Sequence, residues 1–115
     1  MNNLKPGDVV MVKLPEFQSN HTVGRSCVIT EVNDKGDYLI IPFSTKKDYN
    51  HPDLDVFPQG VGGRDMDGYI VPNMKGWCNP NRVYRKLGSF NSTYMGYVQD
   101  DLNVVPWKII PWKYN

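Results

Sequence analysis

The amino-acid sequence predicts a mainly β domain, in which a small, strongly bent antiparallel sheet closes as a barrel and carries one C-terminal α-helix. Short apolar runs of strand composition recur along the chain, and tight-turn residues separate them. Only one segment, late in the sequence, has helical periodicity. Because a small open sheet would expose its edges, we expect an SH3-like barrel that spans residues 1–115 as a single domain.

Composition limits the classes of function. The chain has 115 residues, enough for one hydrophobic core and too few for two. Its formal net charge is +1, so it lacks the global positive field of many nucleic-acid-binding domains, and any such site must be a local patch. No apolar run approaches the ~20 residues of a membrane span, and the N-terminus has no signal-peptide pattern. We therefore expect a cytoplasmic protein with no membrane partner.

The residues that commonly bind metals are few and poorly spaced for it. Cys27 and Cys78 form no paired ligand motif, and with His21 and His51 they do not follow zinc-finger order. The aspartates between Asp53 and Asp67 lack EF-hand spacing. We expect no metal and no cofactor, and a disulfide is possible but not required.

The first half of the chain predicts three strands. An alternating run covers Val9–Leu14, with successive side chains on opposite faces. Two further runs, Cys27–Val32 and Tyr38–Phe43, flank the turn segment Asn33–Asp37 and are expected to pair as a hairpin. Pro42 lacks an amide proton, which suggests an edge strand or the last rung of a ladder.

The second half is less regular. Gly68–Trp77 predicts a fourth strand, and Gly60–Gly63 predicts a turn rather than a phosphate-binding loop, because no strand precedes it and no helix or Lys-Ser/Thr follows. The segment Asn79–Phe90 remains open between a helical turn begun at Pro80 and another strand. Together these elements predict about five short strands.

One helix is predicted near the C-terminus. Asn91 or Ser92 is expected to cap it, and Met95, Val98 and Leu102 follow the i, i+3, i+7 spacing of one helical face. The tail after this helix contains Pro-Trp-Lys twice. Its two tryptophans are expected to cover a sheet edge or dimer interface rather than to extend a nucleic-acid surface; they are Trp107 and Trp112.

Polar residues cluster where the hairpin strands end. Arg25 precedes the second strand, and Ser44–Lys47 follow the third. Because the two strands pair around the intervening turn, these residues should meet at one end of the hairpin. A guanidinium can bind two phosphate oxygens at once, and hydroxyl groups can donate to the same phosphate. The cluster therefore predicts a phosphate-binding site, although a solvated strand end has a similar composition.

Four ordered blocks carry a family resemblance. They read GDVVMV at Gly7–Val12, GRSCVI at Gly24–Ile29, IPFST at Ile41–Thr45 and DGYIVPNMK at Asp67–Lys75. In this order they resemble the MazF/PemK family of toxin endoribonucleases. The likeness covers about residues 4–102 and leaves the tail, residues 103–115, outside.

The resemblance implies a MazF/PemK/CcdB-like barrel with a C-terminal helix and a toxin–antitoxin role. It implies a metal-independent, sequence-selective endoribonuclease, an RNA hydrolase of the mRNA-interferase type. Attack by the 2′-OH of single-stranded RNA would leave 2′,3′-cyclic phosphate and 5′-hydroxyl ends. It further implies a homodimer and a cognate antitoxin protein, whose disordered acidic segment would occupy the RNA groove.

The resemblance also assigns roles to residues. Arg25 matches the catalytic arginine, and the hydroxyl of Ser44 or Thr45 would contact the same phosphate. His21 lies near a position where the family has His or Glu and is the candidate general acid or base, with a solvated loop histidine as the alternative. The expected RNA-binding residues are Lys46, Lys47, Asn73, Lys75 and Trp77.

Departures from the family pattern support other functions. Ser26 follows Arg25 where the family has proline, Pro72–Asn73 replaces Asp-Gln, and Cys78 stands where some members have an acid. These changes and the near-neutral charge favour a catalytically silent barrel of phage or mobile-element origin that binds nucleic acid or a protein. A generic SH3-like interaction module, similar to KOW or Tudor domains, would explain the first strand but not the polar cluster.

Overall fold

The computed structural model describes residues 3–15, 21–47, 53–105 and 109–114, and the structural statements below concern these residues. It contains seven strands, one α-helix and three short 3₁₀ turns. In chain order, the strands and helix are β1 (Asp8–Pro15), β2 (Thr22–Val32), β3 (Tyr38–Ser44), β4 (Tyr69–Ile70), β5 (Gly76–Cys78), β6 (Val83–Ser89), α1 (Ser92–Val104) and β7 (Trp112–Tyr114). The 3₁₀ turns are Val61–Gly63, Pro72–Met74 and Pro80–Arg82.

The strands form one sheet, in the order β6-β1-β2-β3-β5-β7, with β4 paired to β3. All pairs are antiparallel except β5 with β7, and register shifts in the β1–β6 and β2–β3 ladders bend the sheet. The predicted fold class, mainly β with a C-terminal helix, is confirmed. In the described part of the chain no pairing joins β6 to β7, so the sheet stays open where full closure was expected.

The predicted fourth strand is in fact two short ones. The 3₁₀ turn Pro72–Met74 separates β4 from β5, since proline fixes its own φ and has no amide proton for a ladder. The sequence left residues 79–90 open between a helical turn and a strand. The structure contains both, a 3₁₀ turn begun at Pro80 and then β6. Pro42 lies inside the sheet, not at an edge, because β3 has neighbours on both sides. It forms the last rung of the β2–β3 ladder, opposite Cys27, which is the other position that was predicted for it. Its carbonyl accepts from Val71 in the gap between β4 and β5.

The sheet buries apolar side chains on both faces. Val10, Val12 and Leu14 of β1 pack in one cluster, and the alternate residue Val9 packs in the other. The predicted alternation of β1 is therefore confirmed. The first cluster also contains Cys27, Ile29, Tyr38, Ile40, Cys78 and Val83. The second contains Val28, Ile41, Phe43, Phe57, Ile70, Phe90 and Val98.

The helix covers the second cluster. Asn91 is its N-cap, with the side-chain oxygen accepting from the Tyr94 amide at 3.0 Å. Val98 is fully buried, and Met95 and Leu102 pack beside it, as the periodicity predicted. No helix among the described residues is long and apolar enough to cross a membrane.

The C-terminal tail adds β7 to the edge of β5. The Trp112 amide donates to the Lys75 carbonyl at 2.9 Å, and its indole nitrogen donates to the Asn73 carbonyl at 3.0 Å. The Tyr114 hydroxyl donates to the Met74 carbonyl, and its ring packs against the first cluster. Trp112 thus covers a sheet edge, as predicted. Trp107, with the same expectation, lies outside the described residues.

Candidate active site

A cleft opens where the ladder between β2 and β3 ends. The last paired residues are Cys27 and Pro42, and the same register continued by two residues would place Arg25 opposite Ser44. At this point β3 pairs with β4 instead, and β2 remains paired with β1. The hairpin therefore brings together the two polar segments that its sequence predicted to meet.

The cleft encloses a cavity of about 580 Å³. Its walls come from β1, β2, β3, β6 and the segment around the 3₁₀ turn Val61–Gly63. The lining residues are Met11, Gly24, Arg25, Ser26, Phe43, Ser44, Thr45, Gly63, Arg64, Asp65, Met66, Tyr84, Arg85 and Leu87. Three of the four predicted catalytic residues, Arg25, Ser44 and Thr45, thus share one cavity.

The charge in this cleft is strongly positive for so neutral a chain. Among the described residues that line it, Arg25, Arg64 and Arg85 contribute three guanidinium groups, against the single carboxylate of Asp65. Like charges held together in a partly enclosed site repel one another, and an anion relieves that repulsion. The cleft therefore has the electrostatic character of an anion-binding site.

Arg64 is fixed rigidly in the cleft wall. Its Nε donates to the Ser26 hydroxyl at 3.0 Å, and its Nη1 donates to the Met66 carbonyl at 3.1 Å. The guanidinium carbon lies 4.4 Å from the centroid of the Phe43 ring, within cation–π range. A Cβ on Gly68 would lie only 2.3 Å from Nη1, so the backbone there closely fits the guanidinium.

Burial lowers the pKa of the Arg64 guanidinium, because an apolar environment disfavours the charged form. The nearby carboxylates of Asp65 and Asp67 oppose this effect. Neither carboxylate forms an ion pair with Arg64 in the described part of the chain; the only ion pair found there joins Lys86 to Asp8. Arg64 therefore remains a cation held mainly by neutral groups.

Arg25 is half-buried and also affects the interior. Its carbonyl accepts a hydrogen bond from the Cys27 thiol at 3.6 Å. Burial raises the pKa of Tyr114 to about 12, and the positive charge of Arg25 offsets part of that rise. Arg25 therefore lines the cleft and, through its backbone carbonyl, contacts Cys27 of the first apolar cluster.

The two predicted catalytic hydroxyl groups lie at the end of β3, on its last residue, Ser44, and on the next residue, Thr45. The Ser44 oxygen accepts from the Lys46 amide at 3.1 Å, which fixes the turn and leaves the hydroxyl proton able to donate elsewhere. Thr45, Lys46 and Lys47 are exposed beside the cleft, and Lys47 Nζ lies 6.0 Å from the centroid of the Tyr69 ring. These lysines do not line the cavity but adjoin residues that do.

The other predicted site residues lie elsewhere. His21 is exposed just before β2 and is not part of the cavity lining. The carbonyls of Asn73 and Lys75 accept bonds from the tail, and Trp77 pairs with Leu39 near the opposite end of β3. Ser44 lies five residue steps along the strand from Leu39, a span of roughly 17 Å. The roles assigned to these four residues stay predictions.

Trp77 instead borders a second cavity of about 670 Å³. This cavity lies at the far end of the β2–β3 hairpin, beside the turn that joins the two strands. Its lining residues are Asn33, Asp34, Lys35, Asp37, Trp77, Cys78, Asn79, Lys113 and Tyr114. The two cavities are therefore distinct sites.

Several polar residues of the cleft had no motif to reveal them. Arg64 and Asp65 lie in an irregular, glycine-rich segment. Tyr84 and Arg85 lie in β6, which the sequence did not distinguish from a helical turn. Only the pairing of β6 with β1, which sets Arg85 opposite Met11, brings that strand to the cleft. Among the described residues, no group of three or more His, Cys, Asp or Glu side chains could hold a metal ion.

Comparison with known proteins bears on the fold. No protein-family model and no curated protein sequence matches the chain. Among solved structures, the fold is similar to that of an endoribonuclease from a mycobacterial species in complex with its cognate antitoxin, with a TM-score of 0.64. The chain shares its fold with that protein. The match covers 94% of this chain and 100% of that one at 15% identity, and it supports the MazF/PemK resemblance at the level of the fold.

Proposed function

We propose that the chain is a toxin of the MazF/PemK type, a metal-independent endoribonuclease that cleaves single-stranded RNA at selected sequences. The observation that carries this proposal is the positively charged cleft in which Arg25, Ser44 and Thr45 meet. The fold shared with an endoribonuclease supports it, but a fold alone does not determine a reaction.

The reaction uses a nucleophile that belongs to the RNA. The 2′-OH attacks the adjacent phosphorus and expels the 5′-oxygen, which gives a 2′,3′-cyclic phosphate and a 5′-hydroxyl. The protein must stabilise the negative charge that develops on the phosphate oxygens. Arg25 binds two of those oxygens through its guanidinium, and the hydroxyl of Ser44 or Thr45 donates to the same phosphate.

Two protons must also move. One leaves the 2′-OH, and one reaches the departing 5′-oxygen. His21 remains the candidate for one transfer, since it lies just before the strand that carries Arg25. Asp65, which has the one carboxylate found in the described part of the cavity wall, is the candidate for the other. Lys46 and Lys47, beside the cleft, are proposed to bind flanking phosphates.

The partners follow from the same proposal. We propose a homodimer and a cognate antitoxin protein whose acidic segment enters the positive cleft, by analogy with the complex formed by the structural neighbour. Asn73, Lys75 and Trp77 are proposed as more distant RNA contacts. The proposed location is the cytoplasm, where messenger RNA would be the substrate.

The decisive experiment is cleavage of a long single-stranded RNA in EDTA by the wild type and by Arg25→Ala. We expect discrete cuts with cyclic-phosphate ends from the wild type, and a rate lower by about 10²–10³ in the variant. Its melting temperature should change little, because Arg25 is only half-buried. Lys35→Ala, which removes an exposed charge beside the other cavity, is the matched control and should cleave normally.

Intact RNA over varied sequences would contradict the nuclease and favour a silent barrel. That second candidate is supported by the position of His21 outside the cavity lining. It is also supported by Asn73, whose carbonyl is occupied by the tail at the position of the family's Asp-Gln. In that case Arg25→Ala should still weaken binding of an oligonucleotide that no variant cleaves.

A further inference from the structure

Arg64 is a buried cation without a carboxylate partner in the described part of the chain. The residue is 8% exposed, yet it lines the open cleft. Its two nearest acidic neighbours do not satisfy it: Asp65 forms no ion pair with it, and Asp67 accepts from the Gln59 amide at 2.7 Å. A charge removed from water without a counter-ion destabilises a fold unless a ligand or another group compensates.

The arginine is also incompletely bonded. A guanidinium has five N–H donors, and the bonds to Ser26 and to the Met66 carbonyl use two of them. The Phe43 ring face adds a weaker attraction. The remaining donors border a cavity that also contains Arg25 and Arg85, and no other acceptor for them is found among the described residues. Guanidinium donors match the paired oxygens of phosphate as well as those of a carboxylate. The two other guanidinium groups of the cavity favour the anion that carries more charge, which is phosphate.

We propose that Arg64, held in place by Ser26, forms a phosphate-binding site in the wall of the cleft. Arg64 contacts the ligand, and Ser26 is a positioning residue that fixes the guanidinium plane through Nε. This assignment gives a purpose to Ser26, which stands where the resembling family has a proline that could not accept this bond. It rests on the proposed function only for the source of the phosphate, an RNA phosphodiester or the free ion.

Inorganic phosphate tests the site directly. The melting temperature of the full chain is measured against phosphate and against chloride at equal ionic strength, for the wild type, Ser26→Ala, Arg64→Lys and Lys35→Ala. Ligand binding to the folded state raises its stability with ligand concentration. We expect a phosphate-dependent rise in the wild type and in Lys35→Ala. The apparent affinity should fall about tenfold in Ser26→Ala and further in Arg64→Lys, since a charge-assisted hydrogen bond contributes on that order.

The phosphate-dependent part of the shift is the readout, because a purely structural role would lower the melting temperature equally in both salts. An equal phosphate response in the wild type, Ser26→Ala and Arg64→Lys would overturn the proposal, and so would no response in the wild type. If Arg64→Lys fails to fold, Ser26→Ala alone decides between these outcomes.

A second arm identifies the source of the phosphate. Fluorescence anisotropy with a labelled 2′-deoxy-oligonucleotide, which lacks the attacking hydroxyl, measures binding without cleavage. Weakening in both variants assigns the site to the nucleic-acid backbone, whereas weakening for inorganic phosphate alone assigns it to the free ion. If wild-type protein leaves RNA intact but shows the phosphate site, the proposed function fails and this inference stands. If the wild type cuts RNA and both variants bind phosphate normally, the proposed function stands and this inference fails.

Discussion

At the scale of single residues, another buried charge-bearing side chain lies outside the lining of the cleft. Asp101, on the helix, is 1% exposed, and one carboxylate oxygen accepts from the Asp55 amide at 3.1 Å. The other oxygen is buried and has no hydrogen-bond partner. Burial raises the pKa of Asp101 to about 7, and the neighbouring carboxyls of Asp55 and Asp100 add to the rise. Folding therefore favours the protonated form of this group.

The pH dependence of stability follows from that direction. Folding raises the pKa of Asp101 from 3.8 to about 7. The contribution of this protonated carboxyl to the free energy of unfolding is therefore full below about pH 4 and is lost as the pH rises through 7. We expect the free energy of unfolding to fall between pH 5 and pH 8. Asp101→Asn should remove this loss and gain about 1–3 kcal/mol at pH 8, since a neutral amide replaces a buried charge.

Urea unfolding at the two pH values measures this effect. Asp34→Asn, at an exposed position in the turn between β2 and β3, is the matched control and should retain the wild-type slope, because Asp34 does not contribute to the raised pKa of Asp101. A variant at Asp101 that is less stable than the wild type at pH 8 would show that the charged form is the stabilising one.

At the scale of elements, the attachment of β7 to β5 depends on a glycine. Gly76 pairs with Trp112 and lies under the ring of Tyr114. The strand β7 has three residues, of which Trp112 and Lys113 are exposed. Its hydrogen bonds to residues 73–75 and the contact of the Tyr114 ring therefore hold it in place. It nevertheless covers the edge of β5, which would otherwise be open to pairing with other chains.

A methyl group at Gly76 should detach this strand. A Cβ there would lie 2.4 Å from the Tyr114 ring and 2.9 Å from the Trp112 carbonyl, and backbone cannot easily give way. We expect Gly76→Ala to destabilise the protein by about 1–3 kcal/mol, a typical cost of overpacking. Hydrogen exchange in the C-terminal peptide should accelerate.

Gly96→Ala in the helix provides the control, because its Cβ would meet nothing within 4 Å. Alanine at that position should leave exchange in the tail unchanged and stabilise the helix by up to about 1 kcal/mol. Unchanged protection of the tail in Gly76→Ala would mean that other contacts secure β7.

At the scale of the whole molecule, charge is concentrated rather than spread. The chain as a whole carries +1, whereas the described lining of the cleft contains three guanidinium groups and one carboxylate. The far cavity has acidic and basic residues in equal number, Asp34 and Asp37 with Lys35 and Lys113. Electrostatic attraction for a nucleic acid should therefore act at one place on the surface.

The salt dependence of oligonucleotide binding tests this distribution. The three arginines of the cleft and the two lysines beside it, Lys46 and Lys47, would neutralise about five phosphates. At roughly −0.7 per contact with single strands, they predict a slope near −3.5 for log K against log salt. Anisotropy titrations between low and moderate salt give the slope directly. Arg85→Ala should make it shallower by about 0.7. A wild-type slope steeper than about −5 would require a basic surface much larger than this cleft.

The sequence predicted those features that depend on neighbouring residues. The alternation of β1, the hairpin of β2 and β3 and the face of the helix are all encoded within short windows, and each is present. The meeting of Arg25 with Ser44 could be predicted for the same reason, since one hairpin register fixes it. Pro72 also indicates locally that the expected fourth strand is interrupted. That interruption was not predicted, because the residues around Pro72 have the composition of a strand.

Only the tertiary structure decided which residues contact one another across long sequence separations. Arg85 reaches the cleft because β6 pairs with β1, and Arg64 because its loop packs against Ser26 and Phe43. Conversely, the attachment of β7 to β5 occupies the backbone carbonyls of Asn73 and Lys75, on a part of the sheet that does not line the cleft. Local periodicity carries no information about which distant segments of the chain line the same cleft. The sequence by itself therefore determined the fold class and half of the cleft, and the packing of the chain determined the other half.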